Sequence, residues 1–166
     1  MPADRGVYAW WSPPGTLPDV TGSRLTSDGK LELIYIGICP EKDSGARTMR
    51  DRLLHDHARR TRRSTLRRAL ASFLWEQAGW DLTTTSDGRP ALDRRSEAEL
   101  TAWMRNHLYL TWISDPRPWD RELGMIASLL PPLNSDMNSH HPLHSLVVSR
   151  REAWAAAARA TAGSRG

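Results

Sequence analysis

The segment between residues 47 and 68 carries a dense block of arginines. It holds nine arginines against two aspartates, in a chain whose formal net charge is +4. Clustered guanidinium groups attract phosphate and mark nucleic-acid-binding surfaces. A solvated helix face is the alternative, but the local charge imbalance favours phosphate contact. The arginines predicted to contact DNA are Arg59, Arg60, Arg62, Arg63, Arg67 and Arg68.

Two tyrosines lie in two apolar segments that have the composition of strands. Tyr8 belongs to GVYAWW and Tyr35 to LELIYIGI, both rich in aromatic or β-branched residues. The chain has only three tyrosines. The ordinary interpretation is two strand aromatics with hydrogen-bonded hydroxyls. Because a free phenol has a pKa of about 10, proton transfer at neutral pH would need a neighbouring cation that favours the ionised form.

Several separate segments resemble the GIY-YIG nuclease superfamily. GVY at 6–8 and YIG at 35–37 resemble its two sequence marks, RDRLLHDH supplies an arginine on the first helix, and RELGMIASLLPPLN supplies a glutamate followed twelve residues later by an asparagine. Either tripeptide alone is weak, whereas the set in this order is specific. The resemblance covers residues 6–134. The long gap between the two marks implies an inserted loop over residues 12–30.

The resemblance implies roles for individual residues. Glu122 corresponds to the metal-binding glutamate, and Asn134 to a structural asparagine near the site. Arg52 corresponds to the arginine that holds the scissile phosphate, with Arg50 as a close competitor. A guanidinium suits that role because its planar fork matches two phosphate oxygens.

The tyrosines and a histidine would handle the proton. The resemblance implies that one tyrosine helps to activate water while the other orients water or phosphate, and we assign the base role to Tyr8 rather than Tyr35. A histidine near the arginine assists in this family. On an ideal helix His55 shares the face of Arg52 better than His57 does, but family-like spacing after RLL favours His57, which we choose. The predicted catalytic set is Tyr8, Tyr35, Arg52, His57, Glu122 and Asn134.

Glu122 is also the predicted metal ligand. Phosphodiester hydrolysis needs an activated water, a cation at the developing charge and a positioned phosphate. A hard carboxylate oxygen suits one Mg²⁺ (or Mn²⁺) ion that keeps most of its waters. The alternative is a solvated helix residue that pairs with Arg117 or Arg121. The HHPLH segment, residues 140–144, lacks the further ligands expected of a zinc site and is interpreted as a polar surface loop.

An α/β fold is needed to position these residues. The element order β, β, α, α, α, β, α predicts a small three-stranded, mainly antiparallel central sheet flanked by helices, with an extra C-terminal helix. Helices are predicted after an N-cap at Ser64, after a capping box of Ser96 with Glu99, over 119–130 and over 151–162. The second strand is expected to be central. Residues 1–136 are predicted to form the nuclease-like domain, and residues 137–166 an extension packed on it.

Length and composition place the chain in a broad class. With 166 residues, of which 39% are hydrophobic, the chain fits a single folded domain. No apolar run is long enough to span a membrane, and the N-terminus lacks a signal-peptide pattern. Cys39 is the only cysteine, so an internal disulfide is excluded and a cytoplasmic location is expected.

The sequence therefore predicts a metal-dependent endonuclease that acts on DNA. The alternative is a non-cleaving nucleic-acid-binding protein on the same scaffold. A protein-binding effector would leave the arginine block unexplained. Because no second DNA-binding module is recognisable, specificity would come from the domain's own loops, from a homodimer or from a partner protein.

Overall fold

The central sheet has three antiparallel strands. The computed structural model describes residues 5–45, 48–57 and 61–163. Strands β1 (Gly6–Ser12), β2 (Glu32–Cys39) and β5 (Tyr109–Ser114) pair in the order β2-β1-β5. A separate hairpin contains β3 (Leu82–Thr84) and β4 (Pro90–Leu92). The predicted fold class, a small antiparallel sheet flanked by helices, is confirmed.

The strand at the centre of the sheet is β1, not β2 as predicted. All eight residues of β2 are nevertheless buried. A continuous apolar run is typical of a central strand, but here other segments protect an edge strand. The backbone N–H of Leu133 donates to the Ile34 carbonyl at 3.0 Å, and backbone bonds link residues 23–26 to the start of β2. The long loop is thus anchored to β2, and its Leu17 and Val20 are buried in the core.

The helices α1 to α3 surround the face of the sheet that carries the tyrosines. Helix α1 (Met49–Asp51) begins at the N-cap Thr48 and continues directly into a π-helical segment, Arg52–His57. A 3₁₀ turn (Thr61–Arg63) leads to α2 (Thr65–Ala78). The predicted N-cap of α2 is confirmed, because the Ser64 side chain accepts a hydrogen bond from the Arg67 N–H.

Helix α3 (Arg94–His107) begins earlier than the capping-box pattern predicted. Its N-cap is Asp93, whose carboxylate accepts a hydrogen bond from the Ser96 N–H at 2.8 Å. The Ser96 hydroxyl instead accepts a hydrogen bond from the Asp81 N–H at 2.9 Å. Ser96 therefore ties the start of the helix to the hairpin rather than capping it.

The opposite face of the sheet is covered by α4 (Glu122–Leu129). This helix follows a 3₁₀ turn (Pro118–Asp120) and is shorter than predicted at its start. Ile126 is fully buried against β1 and β2 in a second, smaller hydrophobic cluster. Glu122 is the first residue of α4, so packing of this short helix on β2 determines where its carboxylate lies.

The C-terminal helix α5 (His144–Gly163) begins seven residues before its predicted start. Another 3₁₀ turn (Ser135–Met137) precedes it. Val147, Trp154 and Ala158 are buried in the main core with residues of α2. His144 is the first residue of this helix. Across the described parts of the chain, no helix is long and apolar enough to cross a membrane.

Candidate active site

Gly37 makes room for Tyr8 to lie across the neighbouring strand. The two residues are direct partners in the antiparallel pairing of β1 with β2. A Cβ atom added to Gly37 would overlap the ring and the hydroxyl of Tyr8. The glycine of the YIG mark therefore holds space for the tyrosine of the GVY mark. Both site tyrosines are buried, with Tyr8 1% and Tyr35 6% exposed.

His57 connects the Tyr8 hydroxyl to the N-cap of α2. The Tyr8 Oη atom lies 2.6 Å from His57 Nε2, and His57 Nδ1 lies 2.6 Å from Ser64 Oγ. The imidazole is fully buried. Burial, followed by the positive charges of Arg52 and Arg67, lowers the pKa of His57 well below its usual value. A neutral imidazole donates through one ring nitrogen and accepts through the other, so it links the two hydroxyls in either tautomer.

The π-helical segment explains why His57 lies at the site. An α-helix would place His55, three residues after Arg52, on the face of the arginine. A π-helix closes i→i+5 turns, which bring residues five apart onto one face, and His57 is five residues after Arg52. The side chain of His55 lies outside the described residues.

The guanidinium of Arg52 lies beside the two phenols. It is within hydrogen-bonding reach of the Tyr8 hydroxyl and pairs with Glu41, with Nη2 3.3 Å from Oε1. Burial disfavours its charge, but the neighbouring Tyr8, Tyr35 and Glu41 outweigh this effect and raise the pKa of Arg52. The competing candidate Arg50 is exposed on α1. The structure therefore brings Arg52 to the tyrosines.

The tyrosines themselves are protonated at neutral pH. Burial raises the pKa of Tyr35 to about 12, against the opposing effect of Arg52. Burial likewise raises the pKa of Tyr8 well above its usual value, with Tyr35 adding to the increase and Arg52 opposing it. An unassisted phenolate is thus disfavoured at neutral pH in this pocket.

Two carboxylates approach the arginine from different elements. Burial, and then the negative charge of Glu41, raise the pKa of Glu122, while Arg52 opposes the shift. Glu122 is half-buried at the start of α4, whereas Glu41 is 74% exposed on the loop after β2. Within the described ranges, no group of three or more histidine, cysteine, aspartate or glutamate residues could together hold a metal ion. The donor set available to a cation is thus one or two carboxylates.

Asn134 binds the backbone of β2 through two hydrogen bonds. Its Oδ1 atom accepts a hydrogen bond from the Ile36 N–H at 2.9 Å, and its Nδ2 donates to the Ile36 carbonyl at 2.7 Å. Asn134 is only 4% exposed. Both ends of the amide thus bind the backbone residue that lies between Tyr35 and Gly37, which suits a positioning role.

The predicted DNA-contacting arginines divide into four groups. Arg62 and Arg63 are exposed and Arg68 is half-buried, whereas Arg59 and Arg60 lie outside the described residues. Arg67 was wrongly predicted as a DNA contact, since its side chain is fully buried and pairs with Glu97 at 2.7 Å. It also donates to the His57 carbonyl at 3.1 Å, so it holds the backbone of His57 in place from the buried side.

Sequence reasoning missed three participants in this arrangement. Ser64 was predicted as a helix cap but not as a partner of His57, and Glu41 and Glu97 were not singled out. Because Ser64 follows the histidine by seven residues, only the folded turn between them brings the two side chains together. Glu41, close behind the YIG mark, could have been noticed as an acidic residue beside the site.

The small α/β domain thus brings tyrosine, histidine, arginine and carboxylate side chains together next to an arginine-rich turn. The chain matches the family model described as the GIY-YIG catalytic domain over residues 6–153, and it belongs to the GIY-YIG family. The resemblance noted from the sequence is thereby confirmed. The match continues past Asn134 into α5. Comparison with curated proteins and with solved structures found no match.

Proposed function

We propose that this protein is a metal-dependent endonuclease that hydrolyses phosphodiester bonds in DNA. The observation that carries the proposal is the buried connection from Tyr8 through His57 to Ser64, with Arg52 beside the phenol. A buried structural tyrosine needs one hydrogen-bond partner, whereas Tyr8 has both a neutral imidazole on its hydroxyl and a cation at its side. The family assignment to a nuclease-type domain supports the same activity.

Arg52 would bind the scissile phosphate. Its side chain is only 13% exposed, so its charge is shielded poorly by water and is available to a substrate anion. In the free protein the exposed carboxylate of Glu41 pairs with this guanidinium. The phosphate would replace that carboxylate, and the charge on Arg52 would then stabilise the additional negative charge of the transition state.

Tyr8 and His57 would move the proton of the attacking water. As the hydroxyl of Tyr8 accepts that proton, its own proton passes to Nε2 of His57, which lies 2.6 Å away. His57 is neutral in the free protein, because burial and the neighbouring arginines lower its pKa, so its ring has a lone pair that can receive this proton. For Nε2 to accept this proton, Nδ1 must carry the ring hydrogen, which it would donate to Ser64 Oγ at 2.6 Å. Tyr35 would orient the water or the phosphate.

The residues present fit one Mg²⁺ or Mn²⁺ ion held by Glu122. A half-buried carboxylate with a raised pKa next to a second carboxylate gains stability when a cation offsets their repulsion. Such hard oxygen ligands match an ion that retains several waters. When bound, the ion would supply positive charge at the phosphate. Asn134, through its two bonds to Ile36, would keep β2 and therefore Tyr35 in place.

Supercoiled plasmid DNA with Mg²⁺ provides the direct test of this function. We expect the wild-type protein to nick or cut the plasmid, and Glu122→Ala to lose this activity while keeping its thermal stability. Glu76→Ala, an exposed glutamate on α2, is the matched control and should cleave like the wild type. Equal cleavage by wild type and Glu122→Ala would contradict the metal site. Salt-dependent DNA binding without cleavage would instead support the non-cleaving alternative.

The remaining proposals concern the setting of the activity. The predicted DNA contacts, the cytoplasmic location and a homodimer or partner protein are proposals that rest on the arginine-rich surface and the composition. Arg62 and Arg63 are exposed beside the site and support contact with the DNA backbone.

A further inference from the structure

An open groove lies between α3 and the hairpin β3–β4, outside the candidate active site. Its volume is about 680 Å³. Three arginines line it: Arg62 from the 3₁₀ turn, and Arg94 and Arg105 from α3. The opposite wall carries the hydroxyl-bearing residues Thr83, Thr84 and Thr85.

The face of α3 in this groove has a pattern suited to a linear anion. Arg94 and Arg105 lie eleven residues apart, which corresponds to about 16 Å along a helix. Between them the groove is lined by the short side chains of Ala98, Thr101 and Ala102, on the same helical face. Two long basic side chains thus flank a floor of small residues, and a strand could lie on this floor while its phosphates reach the arginines.

Among the described residues that line the groove, arginines outnumber carboxylates, and the one carboxylate, that of Glu97, is already paired. Glu97 lines the groove, but it pairs with the buried Arg67 at 2.7 Å and accepts two further bonds from Thr61 at 2.8 Å each. Over residues 5–45, 48–57 and 61–163, no salt bridge involves Arg94 or Arg105. The neighbouring Arg95, in contrast, pairs with Glu99 at 2.7 Å.

The 3₁₀ turn Thr61–Arg63 joins the groove to the candidate active site. On one side, the Arg63 carbonyl accepts a hydrogen bond from Nη1 of Arg52 at 3.3 Å. On the other, Thr61 is held by the Glu97 carboxylate of α3. Arg62, exposed on this turn, lines the groove. A nucleic-acid strand bound at Arg52 could therefore continue over the turn into the groove.

We propose that this α3 groove is a second DNA-backbone site, in which Arg62, Arg94 and Arg105 bind phosphates of the strand next to the scissile phosphate. The inference rests on the proposed endonuclease function and extends it to a specific surface. The contacts would be to phosphates, so they would raise affinity and set the path of the strand without reading its sequence.

The test is DNA binding by the double variant Arg94→Gln/Arg105→Gln, measured by fluorescence anisotropy of a labelled duplex in EDTA. Each lost phosphate contact reduces the slope of log affinity against log salt by about 0.9. We therefore expect the slope to fall by about 2 and affinity to drop at every salt concentration. Arg95→Gln is the matched control, because this arginine is on the same helix and is paired with Glu99; its slope should equal that of the wild type.

An unchanged slope and affinity in the double variant would overturn the groove proposal. All three arginines are exposed, so thermal unfolding should be unaffected and a folding defect would be detected separately. The outcome is independent of cleavage. If wild-type protein does not cut DNA but its binding depends on Arg94 and Arg105, the groove stands and the endonuclease proposal fails. If the wild type cuts the plasmid and the double variant binds and cuts like it, the groove proposal is wrong while the endonuclease proposal stands.

Discussion

Removal of the Tyr8 hydroxyl separates the chemical role of this residue from its role in packing. Tyr8→Phe keeps the ring that fills the space above Gly37 but removes the oxygen that lies 2.6 Å from His57 Nε2. The imidazole is fully buried, so its nitrogen would lose its partner without access to water. An unsatisfied buried polar group costs about 1–3 kcal/mol, which a protein with about 5–15 kcal/mol of stability tolerates.

The effect on cleavage should be much larger than the effect on folding. A positioned proton acceptor contributes about 10²–10⁴-fold to a rate, and we expect Tyr8→Phe to lose a factor in this range. Single-turnover nicking of supercoiled plasmid with Mg²⁺ measures the loss, and thermal unfolding establishes that the variant is folded. Tyr109→Phe is the matched control, since Tyr109 is 53% exposed on β5 and should cleave like the wild type.

The reasoning would be refuted if folded Tyr8→Phe cleaved within a few-fold of the wild type. The same assay on Tyr35→Phe identifies the alternative. If Tyr35→Phe lost activity while Tyr8→Phe kept it, the phenol that handles the proton would be Tyr35, and the hydrogen bond between Tyr8 and His57 would be structural.

The other predictions concern the pairing of Glu41 with Arg52, the hydrogen bonds of Asn134 and the stability of the protein at acid pH. Glu41→Gln should tighten DNA binding several-fold in anisotropy assays because Arg52 loses its competing carboxylate; weaker binding would contradict this competition. Asn134→Ala should lower the free energy of unfolding by about 2–4 kcal/mol, measured in urea, since both polar groups of Ile36 lose buried partners; Asn106→Ala, exposed on α3, should not. The pKa of His57 is lower in the folded protein than in the unfolded chain, so the unfolded chain binds more protons below about pH 6.5. The free energy of unfolding is therefore unaffected by His57 above that pH, and it decreases by up to about 1.4 kcal/mol per pH unit as the pH falls from there toward the folded-state pKa. Denaturation of wild type and His57→Gln from pH 7 to pH 5 would reveal this difference, and parallel pH profiles would exclude it.

Local signals in the sequence were sufficient for most elements of the fold. The N-cap Ser64 begins α2 as predicted, and the left-handed Gly79 ends it, because capping depends on residues within one turn of each other. Local patterns gave the wrong prediction where a polar side chain forms its hydrogen bond with a residue distant in the chain. Ser96 has the composition of a helix cap, yet its hydroxyl binds the Asp81 N–H on the hairpin, and α3 begins at Arg94 instead.

Burial also depended on packing that no local pattern reveals. Arg67 belongs to an arginine run that predicts a solvent-facing surface, but its side chain is fully buried. Burial is possible because the carboxylate of Glu97, 30 residues away, neutralises the charge of the guanidinium. The apolar sequence of β2 predicts a central strand, although β2 lies at the edge of the sheet and is covered by the segment that contains Leu133 and Asn134. A continuous apolar run therefore predicts that a strand is buried, but not whether it lies at the centre or at the edge of its sheet.

The sequence by itself determined the family and supplied most of the candidate site residues, because GVY, YIG, Arg52, Glu122 and PPLN occur in a specific order. Only the tertiary structure decided how these residues are connected. The π-helical turn places His57 under Tyr8, a contact between residues 49 apart in the chain. Folding also brings Glu41 to Arg52. These contacts depend on how helices pack against the sheet, so they follow from the sum of many distant interactions rather than from any short segment.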